Sequence, residues 1–246
     1  MNYRIPNDIE MGKQASWCPG CGHGIICHVI AEAVEELGVS DKIITVDDVA
    51  CGQFGQFALK YNTIMGAHGR TVVTAAGVKR ARPDALVISR PGDGSAYSIG
   101  IESTLYCALR NENFLTIVIN NSVFGMTGGQ MSPTSLPGMK TATSPFGRDE
   151  AKDGSMVDIT KMLGKTDMAY LARTSVDSPA AIAKTKKAIK KALTKQMNGE
   201  GFCLVEILSP CPTNWKMSEV DACKYIREVQ SKELPLGEFI DKGGEE

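Results

Sequence analysis

Between residues 85 and 121 the chain runs through a short apolar stretch, a glycine-bracketed aspartate, a helical stretch, a second apolar stretch and a pair of asparagines. Ala85–Ser89 and Phe114–Ile119 read as strands, with Ala96–Arg110 as the helix between them. The 25 residues separating Gly94 from Asn120 are room for one helix and one strand, the repeat of a parallel α/β sheet. Asp93 and Asn121 therefore leave the carboxyl ends of two strands of one sheet, where open α/β folds place ligands. Gly92 and Gly94 let the backbone turn tightly and come close to a bound group. The helix that follows Ser95 offers free N–H groups and a positive dipole end to an anion. An Asp, an Asn and a nearby carbonyl are hard oxygen ligands, suited to a Mg²⁺ that keeps phosphate oxygens in its octahedron. The unit predicts a diphosphate chelated through magnesium, with Asp93 on a loop tip outside the core.

The remainder of the chain extends the same alternation. Lys42–Val46, Met168–Val176 and Gly201–Leu208 read as strands. Ile25–Leu37, Thr71–Ala81 and Pro179–Gln196 read as helices, and a further helix is predicted over Ser218–Ser231. Residues 1–16 read as a polar extended arm, and the chain after residue 231 as a polar end. Ser122–Ser155 is rich in Gly, Pro, Ser and Thr and lacks periodicity, the mark of a long functional loop. Alternating strands and helices predict one doubly wound, mostly parallel α/β domain spanning 1–246, with extensions at 1–24 and 209–246. The formal net charge of −1 gives no bulk attraction to nucleic acid or to an anionic membrane. No apolar run approaches the ~18 residues of a membrane span. The first ten residues hold no apolar signal core, so a cytoplasmic location is expected.

Eight cysteines are many for an inert core in a reducing compartment, and metal binding is the better reading. Trp17-Cys-Pro-Gly-Cys-Gly22 is a CxxC on a tight turn. Nothing before it resembles the strand that precedes a thioredoxin-type dithiol. Cys51 and Cys211 each follow a strand and lie among loop formers. Cys27, Cys107 and Cys203 fall in apolar helix or strand patterns and are expected to be core thiols; Cys223 is expected to pack within its helix. Four thiolates suit either Zn²⁺ or a [4Fe–4S] cluster, and spacing alone leaves both open.

A bare Gly-Asp-Gly is a common turn, but here its setting resembles the diphosphate-binding motif of thiamine-diphosphate enzymes. The likeness widens when the whole chain is considered. Trp-Cys-Pro-Gly-Cys-Gly, a later loop Cys, Gly-Asp-Gly with Asn-Asn, Thr127-Gly-Gly-Gln-Met-Ser-Pro-Thr134 and a late Cys-Pro-Thr follow in order. Together they resemble the β subunit of 2-oxoacid:ferredoxin oxidoreductases, with segments around Met126–Ser135 and Cys211–Met217 most like its branched-chain (2-oxoisovalerate) subgroup. The family often has Gly-Ile-Gly-Cys-Ser around the third cysteine, where this chain has Asp48-Val-Ala-Cys-Gly52. The resemblance implies that Asp93, Asn121 and the Val123 carbonyl hold Mg²⁺, and that Cys18, Cys21, Cys51 and Cys211 bind one [4Fe–4S] cluster.

It further implies that Gly92, Gly94 and Ser95 cradle the thiamine diphosphate and that Gly125, Met126 and Thr127 wrap it. A His68-Gly69-Arg70 element is expected near the diphosphate, with Arg70 beside it or bracing the loop. His23 is expected to hydrogen-bond around the cluster. The Lys-rich helix, Lys184 to Lys195, reads as a solvated face, with a ferredoxin docking patch as the sharper alternative. The implied reaction is coenzyme A-dependent oxidative decarboxylation of a 2-oxoacid, with electrons leaving through the cluster to ferredoxin. 2-Oxoisovalerate is the favoured substrate, with 2-oxoglutarate or pyruvate as alternatives. No catalytic side chain is assigned to this chain. The Glu that activates thiamine is expected on a partner α subunit carrying the pyrimidine-binding domain, accompanied by γ and ferredoxin-like δ subunits. Two other classes compete. A non-redox thiamine-dependent decarboxylase subunit would need no converging cysteines. A zinc or iron–sulfur interaction module would need no Gly-Asp-Gly unit.

Overall fold

The computed structural model describes residues 4–12 and 16–243, so part of the predicted N-terminal arm lies outside the described residues. Among the described residues, nine strands run in chain order: β1 Ile43–Asp48, β2 Asn62–Gly66, β3 Leu86–Arg90, β4 Leu115–Asn120, β5 Val123–Phe124, β6 Gln130–Met131, β7 Tyr170–Ser175, β8 Cys203–Leu208 and β9 Gly237–Asp241. Seven of them form one sheet in the order β2-β1-β3-β4-β8-β7-β9. All pairings in it are parallel except β7 with β9. β5 and β6 form a separate antiparallel pair.

The central strands are buried along their whole length, as a sheet covered on both faces requires. The chain moves one way along the sheet from β3 to β4 and the opposite way from β7 to β8. Right-handed crossovers therefore put the two connecting helices on opposite faces. On one face, helix Gly22–Leu37 and helix Pro179–Met197 bury Ile26, Ile30, Ile189 and Leu193 against Ile88, Ile117 and Val205. On the other, helices Thr71–Ala81 and Ile101–Leu109 bury Val72, Ala75 and Ala108 against Val87, Val118 and Leu204. The doubly wound fold expected from the sequence is the fold observed.

Local departures have physical causes. Asp47 and Asp48, beyond the predicted strand end at Val46, complete β1. Asp47 sits in register opposite Arg90 of β3, and the two buried side chains neutralise each other. β2 was not predicted, because Asn62–Gly66 carries no alternation and much of it is exposed. The polar C-terminal end forms the edge strand β9. The predicted helix over 96–110 opens with a wide π-type turn, Ser95–Ile99, before Gly100. A Cβ on Gly100 would lie 2.7 Å from the carbonyl oxygens of Gly69 and Ser95, so the glycine lets the 67–70 loop press onto this helix. Of the six lysines on helix Pro179–Met197, four are held in ion pairs. Lys186 and Lys190 pair with Glu36, Lys191 with Glu238 and Asp241, and the buried Lys195 with Glu200 and Asp241.

A buried polar chain runs under the ligand end of the sheet. Asp158 and Glu206 both hold Arg173, and Glu206 accepts a hydrogen bond from Asn120 at 2.9 Å. Removing Glu206 leaves the Arg173 guanidinium half-paired in the core and unties Asn120. Glu206→Ala is expected to lower stability by about 3–5 kcal/mol, measured as the loss in urea unfolding free energy. A loss below about 1 kcal/mol would show that the network contributes little.

Candidate functional site

The loops after β3 and β4 are adjacent, and Gly92 forms a parallel bridge with Ile119. Together they shape a small cavity of about 30 Å³. It is lined by Gly92, Asp93, Gly94 and Ser95 from the first loop, and by Asn121, Val123, Phe124, Gly125 and Met126 from the second. Asp48, His23, His68 and the 50–52 turn also line it. A Cβ on Gly94 would lie 2.4 Å from the Phe124 ring, which closes over the glycine. Gly69 donates its N–H to Ser95 Oγ at 2.9 Å, fastening the His68 loop to the mouth of the helix.

Asp93 is 1% exposed, not on a loop tip. Its Oδ2 accepts hydrogen bonds from Ser132 and Thr134, each at 2.6 Å. This gives a physical role to the Ser-Pro-Thr end of the Thr127–Thr134 stretch, which the sequence displayed without revealing its purpose. Burial raises the Asp93 carboxyl to about 6, although the two hydroxyls oppose the rise. Among the described residues, neither Lys nor Arg lines the cavity. A buried carboxylate without a cation beside it is a position where Mg²⁺ offsets the desolvation. Ser122 adopts a left-handed backbone, φ 57°, unusual for a non-glycine residue. Asn120 Oδ1 holds its N–H at 3.0 Å, Ser135 holds its carbonyl at 2.6 Å and Gln230 its hydroxyl at 2.9 Å. That turn allows both Asn121 and Val123 to line the cavity.

A second cavity of about 210 Å³ adjoins the first. Cys18, Cys21, Cys51 and Cys211 all line it, and all are free thiols. The walls are shared: His23, Cys51, Asn121, Gly125 and Met126 border both cavities. Burial pushes the Cys21 thiol up to about 12, with added repulsion from Cys211, Cys51 and Cys18. Burial pushes Cys51 up to about 11, again with Cys211 and Cys18 adding to it. Polar groups already point at the sulfurs. Asn214 donates to Cys211 Sγ at 3.3 Å, and His23 Nδ1 lies 3.3 Å from Cys21 Sγ. The Trp17 indole N–H, donating to the Cys51 carbonyl at 2.8 Å, ties the CxxC turn to the second cysteine loop. Cys27, Cys107 and Cys203 are core residues, as expected.

Other assigned residues fall differently. Arg70 does not line either cavity; its guanidinium binds Glu102 and the Ile99 carbonyl, so it braces the loop. Thr127 is turned to Gln130, which accepts its hydroxyl at 2.7 Å, and it too is absent from the linings. Asp48, Ser132 and Thr134 belong to the first site and Asn214 to the second, all without a role in the sequence reading. Only the Ser-Pro-Thr motif carried any signal for them.

The thiamine pyrophosphate enzyme C-terminal TPP-binding domain family matches residues 49–207. A 2-oxoglutarate synthase subunit KorB of Archaeoglobus fulgidus is 35% identical over 213 residues, covering 86% of this chain and 75% of that protein. The chain belongs to the β-subunit family of 2-oxoacid:ferredoxin oxidoreductases. A ketoisovalerate oxidoreductase subunit VorA of Methanothermobacter thermautotrophicus is 38% identical over 230 residues, 93% of this chain. The chain spans about half of that relative's length, 48%. The solved 2-oxoglutarate:ferredoxin oxidoreductase from Magnetococcus marinus, with 2-oxoglutarate, coenzyme A and succinyl-CoA bound, superposes with a TM-score of 0.78 at 27% identity. It covers all of this chain and 87% of its own. For this family member, the matched model begins beside Cys51 and ends in β8, so the CxxC and Cys211 lie outside it. Among the described residues, no helix is long and apolar enough to cross a membrane.

Proposed function

We propose that this β subunit binds thiamine diphosphate and one [4Fe–4S] cluster side by side, within an oxidoreductase that converts a 2-oxoacid and coenzyme A to acyl-CoA and CO₂. One observation carries the reading: the diphosphate-type cavity and the four-cysteine cavity share a wall. Asp93, Asn121 and the Val123 carbonyl are the Mg²⁺ ligands, and Gly92, Gly94, Ser95 and His68 surround the diphosphate. When bound, thiamine diphosphate supplies the electron sink for decarboxylation. This chain positions the diphosphate, excludes water from around Asp93 and keeps an electron acceptor next door. Cys18, Cys21, Cys51 and Cys211 would hold the cluster, which would supply a one-electron route from this site to ferredoxin, while coenzyme A would take the acyl group as its thioester.

Cys18, Cys21, Cys51 and Cys211 fit a cubane better than Zn²⁺. Among the described residues, no three His, Cys, Asp or Glu side chains stand close enough to hold a single ion. A zinc site draws its thiolates to about 2.3 Å from one centre, whereas a cubane spreads them over its corners. The four cysteines also argue against a non-redox decarboxylase, which has no use for them. The substrate reading is 2-oxoisovalerate or a related branched-chain 2-oxoacid. Met126 and Phe124 line the first cavity, and among the described residues neither lining holds a Lys or Arg to meet the second carboxylate of 2-oxoglutarate.

The pyrimidine end of thiamine needs a partner α subunit, because this single α/β unit covers only the diphosphate end. Phe146, 98% exposed in the loop after β6, and the exposed Ile99 beside the His68 segment support an interface there. γ and δ subunits complete the assembly in this reading. The test is the purified chain alone, without oxygen, given 2-oxoacid, coenzyme A, Mg²⁺ and thiamine diphosphate. It is expected to reduce viologen at under about 1% of the rate of the assembled complex, since loss of the covering domain leaves the reacting carbon open to water. Robust turnover by the lone chain would overturn the partner requirement, and no turnover by the assembly on any 2-oxoacid would overturn the function.

A further inference from the structure

Among the described residues, two buried polar atoms in the first cavity face each other without any other partner. Asp48 is fully buried at the end of β1, and its Oδ1 accepts a hydrogen bond from Thr71 at 3.1 Å. Its Oδ2 has no hydrogen-bond partner. The Nδ1 of His68 is likewise buried and unpartnered, and it lies 3.4 Å from that oxygen. The rest of the imidazole is open, with the side chain 32% exposed on the cavity. The Phe124 ring, 6.1 Å away and tilted by 57°, flanks it.

The charges around this pair are few. The titratable side chains lining the cavity are Asp48, Asp93, Cys51, His23 and His68. His23 is buried and its Nδ1 lies against Cys21 Sγ at 3.3 Å, on the side of the cysteine cavity. Arg70, next in sequence to the 68–69 turn, is committed to Glu102. Of the two lining histidines, His68 borders the first cavity alone, and Asp48 is the carboxylate within reach of its Nδ1.

We infer that Asp48 is a positioning residue: it accepts the Nδ1–H of His68 and holds the ring as an imidazolium whose other N–H serves the diphosphate of the cofactor. This rests on the proposed cofactor reading and adds to it a carboxylate–imidazole pair distinct from the proposed Mg²⁺ ligands. An imidazole held by a buried carboxylate keeps both its orientation and its proton, as in carboxylate–histidine pairs elsewhere. Mg²⁺ held at Asp93 would offset part of the diphosphate charge, and His68 would offset another part.

The test is a double-mutant cycle in the complete, cofactor-stripped complex, titrating thiamine diphosphate with saturating Mg²⁺ and reading binding by calorimetry. Asp48→Asn and His68→Gln are each expected to weaken binding by roughly ten- to a hundredfold, the range for a charge-assisted hydrogen bond. The double variant is expected to bind no worse than His68→Gln alone, because the two side chains act as one unit. Losses that multiply, or wild-type binding by Asp48→Asn, would overturn the pairing. Thr71→Val removes the other hydrogen bond of Asp48 while leaving His68 in place; a loss equal to that of Asp48→Asn would show that Asp48 only holds the strand end, and would also overturn it. Should Asp48→Asn fail to assemble, ring-nitrogen NMR of ¹⁵N-histidine wild-type complex decides. Both His68 nitrogens protonated with thiamine diphosphate bound supports the pair, and an unprotonated Nδ1 overturns it. Wild-type complex that binds no thiamine diphosphate would sink the cofactor reading itself, an outcome distinct from wild-type binding with an additive cycle.

Discussion

Asp93→Asn is expected to weaken Mg²⁺-dependent thiamine diphosphate binding by more than about a hundredfold, beyond the loss typical of groups outside the ligand shell. The isosteric amide preserves shape but removes the negative charge that draws Mg²⁺ into a cavity lacking any other strong anionic ligand on that loop. Asparagine is the sharper test than alanine, because Asp93 is buried and accepts hydrogen bonds from Ser132 and Thr134. Deleting it would free the 127–134 segment as well as the metal. Calorimetric titration measures the effect, and unchanged circular dichroism confirms the fold. Wild-type affinity in Asp93→Asn would remove Asp93 from the site.

The same residue sets a pH dependence. Its carboxyl is raised by burial from an ordinary 3.8 to about 6. Mg²⁺ requires the ionised form, so cofactor affinity is expected to fall as pH drops through about 6. In the cofactor-free protein the sign reverses for stability. The protonated buried acid contributes stability that is full below about 4 and lost as pH rises through about 6, roughly 3 kcal/mol in all. Urea unfolding at pH 4 to 7, with and without Mg²⁺ and thiamine diphosphate, separates the two trends. A flat profile in Asp93→Asn would assign both to this group, and an unchanged one would assign them elsewhere.

Cys18→Ala, Cys21→Ala, Cys51→Ala and Cys211→Ala are each expected to cost this chain all the iron and acid-labile sulfide of one [4Fe–4S] cluster. Ala variants of Cys27, Cys107, Cys203 and Cys223 are expected to keep it. The first three of these thiols are packed in the core, and Cys27 accepts a hydrogen bond from Arg90 at 3.2 Å. The four proposed ligands share one cavity, and burial with mutual repulsion disfavours thiolates at Cys21 and Cys51 until a cation arrives. Anaerobic iron and sulfide assays decide the matter. Full content in Cys51→Ala together with loss in Cys27→Ala or Cys223→Ala would show a different ligand set.

The sheet and its ligand end were legible along the chain. Largely apolar runs such as Leu115–Ile119 are satisfied between two layers of helices, and Gly-Asp-Gly and Asn-Asn after two such runs mark neighbouring strand ends. Patterns of this kind are local, so they survive being read one segment at a time. Tertiary structure alone decided what each polar side chain faces. Nothing near Asp47 in sequence says that Arg90 neutralises it, so the pattern ends the strand at Val46, short of Asp47 and Asp48. Asp93 became a buried, hydroxyl-braced carboxylate because Ser132 and Thr134, about forty residues on, fold back over it. Arg70 left the cavity because Glu102 captured it, and Asp48 met His68 because β1 ends beside the 67–70 loop. β9 paired with β7 because an exposed sheet edge accepts a polar strand that has no periodicity to announce it. Charge and hydrogen-bond partners are long-range choices made when the layers close, and a one-dimensional pattern records the groups without their partners.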